Sequence, residues 1–124
     1  MNTWNAENLH RVGNATQIRI ATERPDGSTR TPLTIWVIRV GDELFVRSYR
    51  GPSGGWYRHI INHPYAHITA SGIDHRVLLE PADSSTREAV DDAYRTKYGR
   101  SGPAAAMISD AAAATTMRIT PADS

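Results

Sequence analysis

Residues 34–59 read TIWVIRVGDELFVRSYRGPSGGWYRH, and this stretch decides the fold. Residues 34–40 are rich in β-branched and aromatic side chains, which suit a pleated, half-buried surface. Gly41, Asp42 and Glu43 then turn the chain into a second apolar run, residues 44–49, so the pair reads as a β-hairpin. Residues 51–55 form a glycine-rich loop. Residues 56–62 have room for about two helical turns before Pro64 stops them.

Working outward, residues 17–22 alternate with Ile18 and Ile20 on one face and read as a strand. Arg24, Pro25, Asp26, Gly27 and Ser28 follow as a turn: proline fixes one backbone angle and glycine accepts a positive one. Residues 3–12 form a short helix that Thr3 or Asn5 can cap and that Gly13 and Asn14 end. Downstream, residues 67–72 and 75–80 are strands joined by a turn at Ile73 and Asp74. Residues 84–98 are the clearest helix. Ser85 and Glu88 have capping-box spacing, and Ala89, Val90, Ala93, Tyr94 and Tyr98 make one apolar stripe. Gly99 sits where a C-terminal glycine belongs. Residues 103–114, opened by a proline, read as a second short helix, and residues 116–120 as a last strand.

The order α-β-β-β-α-β-β-α-α-β has six strands joined mostly by hairpins. That predicts a mainly β (α+β) protein, an antiparallel barrel or curled sheet with a few flanking helices. A doubly wound parallel sheet would need helices between nearly all its strands, and they are missing.

The 124 residues make one domain, 1–124, with enough chain for a single core. A formal charge of +1 argues against a dedicated nucleic-acid binder, which concentrates basic residues on one face. Lys97 is the only lysine among the cations. With no cysteine, disulfides, thiolate catalysis and Cys-ligated metals are excluded. No apolar run approaches the roughly 20 residues that span a bilayer. MNTWNAENLH lacks the basic-then-apolar order of a secretory signal, so the expectation is a cytoplasmic protein.

The chemistry gathers after the hairpin. On an extended strand Ser48 and Arg50 project with Leu44 and Val46, whereas Arg47 projects with Phe45 and Tyr49. Arg50 and Arg58 bracket the glycine-rich loop, whose amides can approach a phosphate closely. Phosphate binding by Ser48, Arg50, Arg58 and the loop amides is one reading; a surface loop with solvated arginines is the other. Trp36, Tyr49, Trp56 and Tyr57 offer planar walls for a flat ligand. Core packing is the competing reading, and it applies most to Trp36 in mid-strand.

Other motifs weigh less. His59, His63 and His67 recur at intervals of four, but Pro64 breaks any helix that would align them, so no metal site is expected. No GxSxG elbow occurs, and residues 51–55 lack the lysine of a Walker loop. Asp91 and Asp92 fall on the exposed side of the long helix and read as solvated charges.

The run Thr34-Ile35-Trp36-Val37-Ile38-Arg39-Val40-Gly41-Asp42, then Leu44 to Ser48, Arg50-Gly51 and Gly55-Trp56-Tyr57-Arg58, resembles a family of uncharacterised bacterial proteins with a split β-barrel fold. The strands carrying Ile68, Ala70 and Gly72, and Arg76 to Pro81, fit the same pattern. That fold is shared with pyridoxamine-phosphate oxidases and deazaflavin-dependent nitroreductases. The resemblance implies a homodimer with ligand clefts where two barrels meet, and FMN or F420 as cofactor. By position it places Arg47, Ser48, Arg50, Trp56 and Arg58 at the cofactor. It leaves Trp36, Tyr49, Tyr57 and His59 for a substrate, with Trp36 near the ring. The chain lacks the extra C-terminal elements of the oxidases, and Pro52-Ser53-Gly54 departs from a flavin motif. The implied function is a flavin- or deazaflavin-type oxidoreductase, with the redox chemistry left to the ring. The alternatives are a cofactor-free binder, isomerase or cyclase using the same cleft, and a purely structural dimeric partner.

Overall fold

The computed structural model describes residues 3–122. In chain order its elements are α1 (Ala6–Gly13), β1 (Ile18–Thr22), β2 (Leu33–Ile35), β3 (Ile38–Val40), β4 (Glu43–Val46), α2 (Gly55–Asn62), β5 (Tyr65–Ala70), β6 (Ile73–Pro81), α3 (Arg87–Tyr98), α4 (Gly102–Met107), α5 (Asp110–Ala113) and β7 (Met117–Pro121). The strands form one antiparallel sheet in the order β2-β1-β5-β6-β7-β4-β3.

The two edge strands, β2 and β3, are separated in sequence by Trp36 and Val37 alone. The three steps from Ile35 to Ile38 reach only about 10 Å, so the sheet must curl until its edges nearly meet. The expected single strand over 34–40 is therefore two short strands, which raises the count from six to seven. Burial drives the break. Val37 turns fully inward, and its exposed ladder groups go to the end of α3. Its N–H donates to Tyr98 Oη at 3.3 Å, and its carbonyl accepts from Lys97 Nζ at 2.6 Å.

The curl encloses the larger core. Ile18 and Ile20 of β1, Leu44 and Val46 of β4, and Ile68 of β5 alternate inward, as the period-two pattern requires. Trp4 plugs one end, and its indole N–H donates to the Ile119 carbonyl at 2.9 Å. A second cluster lies outside the curl. There Ile38 and Phe45 meet Val90 and Tyr94 of the α3 stripe, together with Met107.

Two helix ends differ from expectation. Asp83, not Ser85, supplies the cap before α3: its carboxylate accepts the Ser85 N–H at 3.0 Å and starts a 3-10 turn that leads into the helix. The expected helix over 103–114 is two, because Ser109 caps a new start by accepting the Ala112 N–H at 3.2 Å. No helix among the described residues is long and apolar enough to cross a membrane.

Candidate functional site

A cleft of about 610 Å³ opens between the free edge of β2, the chain leaving β4, the start of α2 and α4. β2 and the break after it contribute Leu33 to Trp36, and α4 contributes Pro103 and Met107. Among the described residues, no aspartate, glutamate, histidine or lysine lines it.

β4 ends at Val46, and the next two side chains are both buried, each 1 % exposed. Arg47 keeps the facing that alternation assigns it, on the side of Phe45. Its Nε donates to Thr116 Oγ1 at 2.8 Å, and its Nη1 donates to the Met107 carbonyl at 3.0 Å and to Asp91 Oδ1. The guanidinium carbon lies 5.4 Å from the Tyr94 ring centre. A buried charge needs a counter-ion and filled donors. Asp91 supplies the charge, yet Arg47 Nη2 has no partner among the described residues, and neither does Tyr94 Oη. Such orphaned donors are exceptions to the rule that buried polar groups are hydrogen-bonded.

Ser48 faces the other way. Its N–H donates to Thr115 Oγ1 at 2.8 Å, while its own hydroxyl bonds to nothing among the described residues. A Cβ on Gly54 would stand 2.1 Å from that Oγ, so any larger residue there would force the hydroxyl to move. The intervening turn is fixed rather than floppy. Gly51 adopts φ +65, a conformation that favours glycine, and a Cβ on it would meet Ala111 Cβ at 3.1 Å.

Gly54 caps α2 without a side-chain hydrogen bond. The first amides of the helix, on Gly55, Trp56 and Tyr57, lack intrahelical acceptors, and Gly54, Gly55 and Trp56 line the cleft. Free amides and the positive end of the helix dipole favour an anion. The apolar walls are aromatic. Trp36 stacks on Tyr98 at 3.9 Å with rings 4° from parallel. Trp56 is 7 % exposed and sits edge-on to Tyr57 at 6.3 Å.

Of the residues singled out in the sequence, Trp36, Arg47, Ser48, Tyr49, Arg50 and Trp56 line this one cleft. Tyr57, Arg58 and His59 do not. Because α2 starts at Gly55, residues 56–59 fan around a full helical turn and cannot share a direction. Tyr57 packs on the larger core and Arg58 is exposed. His59 points to another region. Burial and then the charges of Arg30, Arg58 and Arg24 lower its pKa below the ordinary 6.5.

Asp91, expected from the sequence to be a solvated charge like Asp92, is instead only 13 % exposed and paired with Arg47. Its signal is the position three residues before Tyr94, on the border of the apolar stripe. A second polar cluster was also missed. Glu23, 6 % exposed, accepts from Arg76 Nε at 2.9 Å and Nη2 at 3.0 Å, with His63 Nε2 at 3.2 Å. The Arg76 hydrogen bonds, more than any other cause, hold its carboxyl down at about 2. His63 and His67, which had suggested a metal pattern, both face this carboxylate, His67 at 3.7 Å.

The profile of a protein family described as "Uncharacterized protein conserved in bacteria (DUF2255)" matches residues 8–119. No functionally curated protein matches the chain in sequence. Among solved structures, an F420 reductase superposes with a TM-score of 0.60 at 19 % identity, covering 97 % of this chain and 95 % of that one. A candidate 5-nitroimidazole antibiotic resistance protein from Bacteroides thetaiotaomicron gives 0.64 at 16 % identity, over 100 % and 83 % of the two chains. An FAD-binding protein from Mesorhizobium loti gives 0.57 at 14 % identity, over 98 % and 92 %. Identities this low establish the fold alone, a curled antiparallel half-barrel with flanking helices.

Proposed function

We propose that this chain, which belongs to the bacterial DUF2255 family, is a cofactor-dependent oxidoreductase that holds FMN or a deazaflavin such as F420 in the cleft beside α2. The observation that carries this reading is the unpartnered Nη2 of a fully buried Arg47. Arg47, Ser48, Gly54, Gly55 and Trp56 all line the one cleft. Together they form a donor set with no competing carboxylate lining the cleft, which suits a phosphate. Trp36 and Trp56 would flank the conjugated ring. When bound, such a ring supplies hydride transfer, and that accounts for a cleft without a nucleophile or an acid–base pair.

The residues of the chain then bind and orient. Ser48 and the α2 amides would fix the phosphate, Arg47, itself paired with Asp91, would hold the cleft floor in place, and the tryptophans would flank the ring. The fold likeness to an F420 reductase and an FAD-binding protein supports the cofactor class.

The test is an absorption spectrum of the purified protein, followed by titration with FMN, riboflavin and F420. Tight binding of FMN, with riboflavin weaker by about 100-fold, is expected from two or more lost charge-assisted hydrogen bonds. F420 binding in preference to FMN would select the deazaflavin. Colourless protein that responds to none of the three overturns the cofactor and leaves a cofactor-free binding cleft.

A further inference from the structure

The two ends of the cleft differ. Its floor is the closed polar set of Arg47, Ser48 and the α2 amides. Its mouth carries Leu33, 48 % exposed, and Tyr49, 61 % exposed; Ile61 is the one other large apolar side chain so exposed among the described residues. Two such side chains at one cleft mouth offer an apolar surface on which a ligand can rest.

The charge at the mouth is equally one-sided. Asp91 already balances Arg47, so Arg50 is the uncompensated charge of the cleft, making no ion pair or side-chain hydrogen bond among the described residues. Its position is built. The Arg50 carbonyl accepts from Ser53 Oγ at 3.0 Å, and the next residue, Gly51, donates its N–H to Ser48 at 2.9 Å. An exposed guanidinium on a fixed turn, beside an aromatic ring and a leucine, is complementary to an apolar plane with a negative end.

We propose that the mouth is a substrate subsite for a small planar molecule bearing one negative charge, an aromatic or conjugated carboxylate, whose ring rests against Leu33 and Tyr49 and whose carboxylate pairs with Arg50. This rests on the oxidoreductase reading for its meaning as a substrate site and gives that reading a substrate class. The floor holds the phosphate of the cofactor, and the mouth selects what meets the ring.

The experiment titrates the full chain, with its cofactor content measured, using 2-naphthoate and its neutral isostere 2-naphthamide. Binding is followed by calorimetry and by tryptophan fluorescence. The acid is expected to bind about tenfold or more tightly than the amide. Arg50→Gln should bring the acid down to the amide and leave the amide unchanged, Arg50→Lys should restore part of the preference, and Tyr49→Ala should weaken both. Equal affinities for acid and amide, or an Arg50→Gln variant that keeps the preference, overturns the proposal. So does conversion of a dimer to a monomer by Leu33→Ser and Tyr49→Ala with the naphthoate affinity intact, which assigns the mouth to a second copy of the chain. Discrimination at the mouth without any flavin or F420 binding sustains this subsite and removes the cofactor alone. Flavin binding without discrimination does the reverse.

Discussion

Arg47 and Asp91 stand 44 positions apart in the chain and form an ion pair, with the arginine side chain fully enclosed and the aspartate 13 % exposed. The same guanidinium reaches the Met107 carbonyl at the end of α4 and Thr116 at the approach to β7. One side chain therefore joins four elements behind the cleft. Asp91 also lies 3.5 Å from Arg87 Nε, and Arg87 in turn donates to Asp110 at 2.8 Å. This ionic chain runs from the cleft floor to the start of α5.

Removing one partner of such a pair leaves an enclosed charge unmatched, which costs about 3–5 kcal/mol. Asp91→Asn is expected to lose about 3 kcal/mol in urea unfolding. Arg47→Met/Asp91→Leu, which replaces both charges with apolar groups, should recover much of that loss. Single and double variants equal in stability to the parent would show that the guanidinium is not the joint between these elements.

Gly54 and Ser48 are coupled by contact. Its φ of −62 gives Gly54 no backbone reason to be glycine, and the reason is the Ser48 Oγ at 2.1 Å from a Cβ site. Gly54→Ala should therefore destabilise by about 1–3 kcal/mol through overpacking. In a Ser48→Ala background the contacts left are the residue-48 Cβ and the Gly51 carbonyl, both at 3.3 Å, so the same substitution should cost less. Additive losses in a double-mutant cycle would contradict the contact.

Gly55 permits the removal of one donor amide. It is the first residue of α2, where proline is tolerated. Gly54 before it has ψ 137, as a residue preceding proline needs. A Cβ at Gly55 meets nothing within 4 Å. Gly55→Pro should fold with unchanged or slightly higher stability and lose one amide from the anion subsite. FMN affinity should fall about tenfold, while riboflavin affinity stays constant. Equal losses for both ligands would place the phosphate elsewhere.

The curled antiparallel sheet was legible because its evidence is local: alternation at Ile18 and Ile20, the turn at Gly41, and the stripe through Val90 and Tyr94 each act over a few residues. The facing of Arg47 was legible for the same reason. Its partners were not, since Asp91 and Thr116 become neighbours only when β4, α3 and β7 are packed. Propensity over 34–40 is continuous, so the break at Trp36 and Val37 is invisible until the sheet closes and the chain must pass from one edge to the other. Likewise Arg58 and His59 looked adjacent to the loop, but the exact start of α2 decides where they point, and helix starts are weakly encoded where glycine replaces a capping side chain. Glu23 escaped notice because it follows β1, far in sequence from Arg76 and His63.

Glu23 should govern the acid limit of the fold. Its carboxyl is held at about 2 against an ordinary 4.5, first by hydrogen bonds from Arg76 and then, against the opposing effect of burial, by His63. A depressed carboxyl contributes stability that is fully present above the unfolded value. That stability is lost as pH falls from about 4.5 through about 2, because the unfolded chain takes up the proton first. The urea midpoint of the parent protein should therefore drop across that window. Glu23→Gln should start lower at neutral pH, since the charge-assisted hydrogen bonds from Arg76 to Glu23 are weakened, and should show a shallower decline on acidification. Parallel curves for parent and variant between pH 4.5 and 2 would mean that this carboxylate does not titrate with folding.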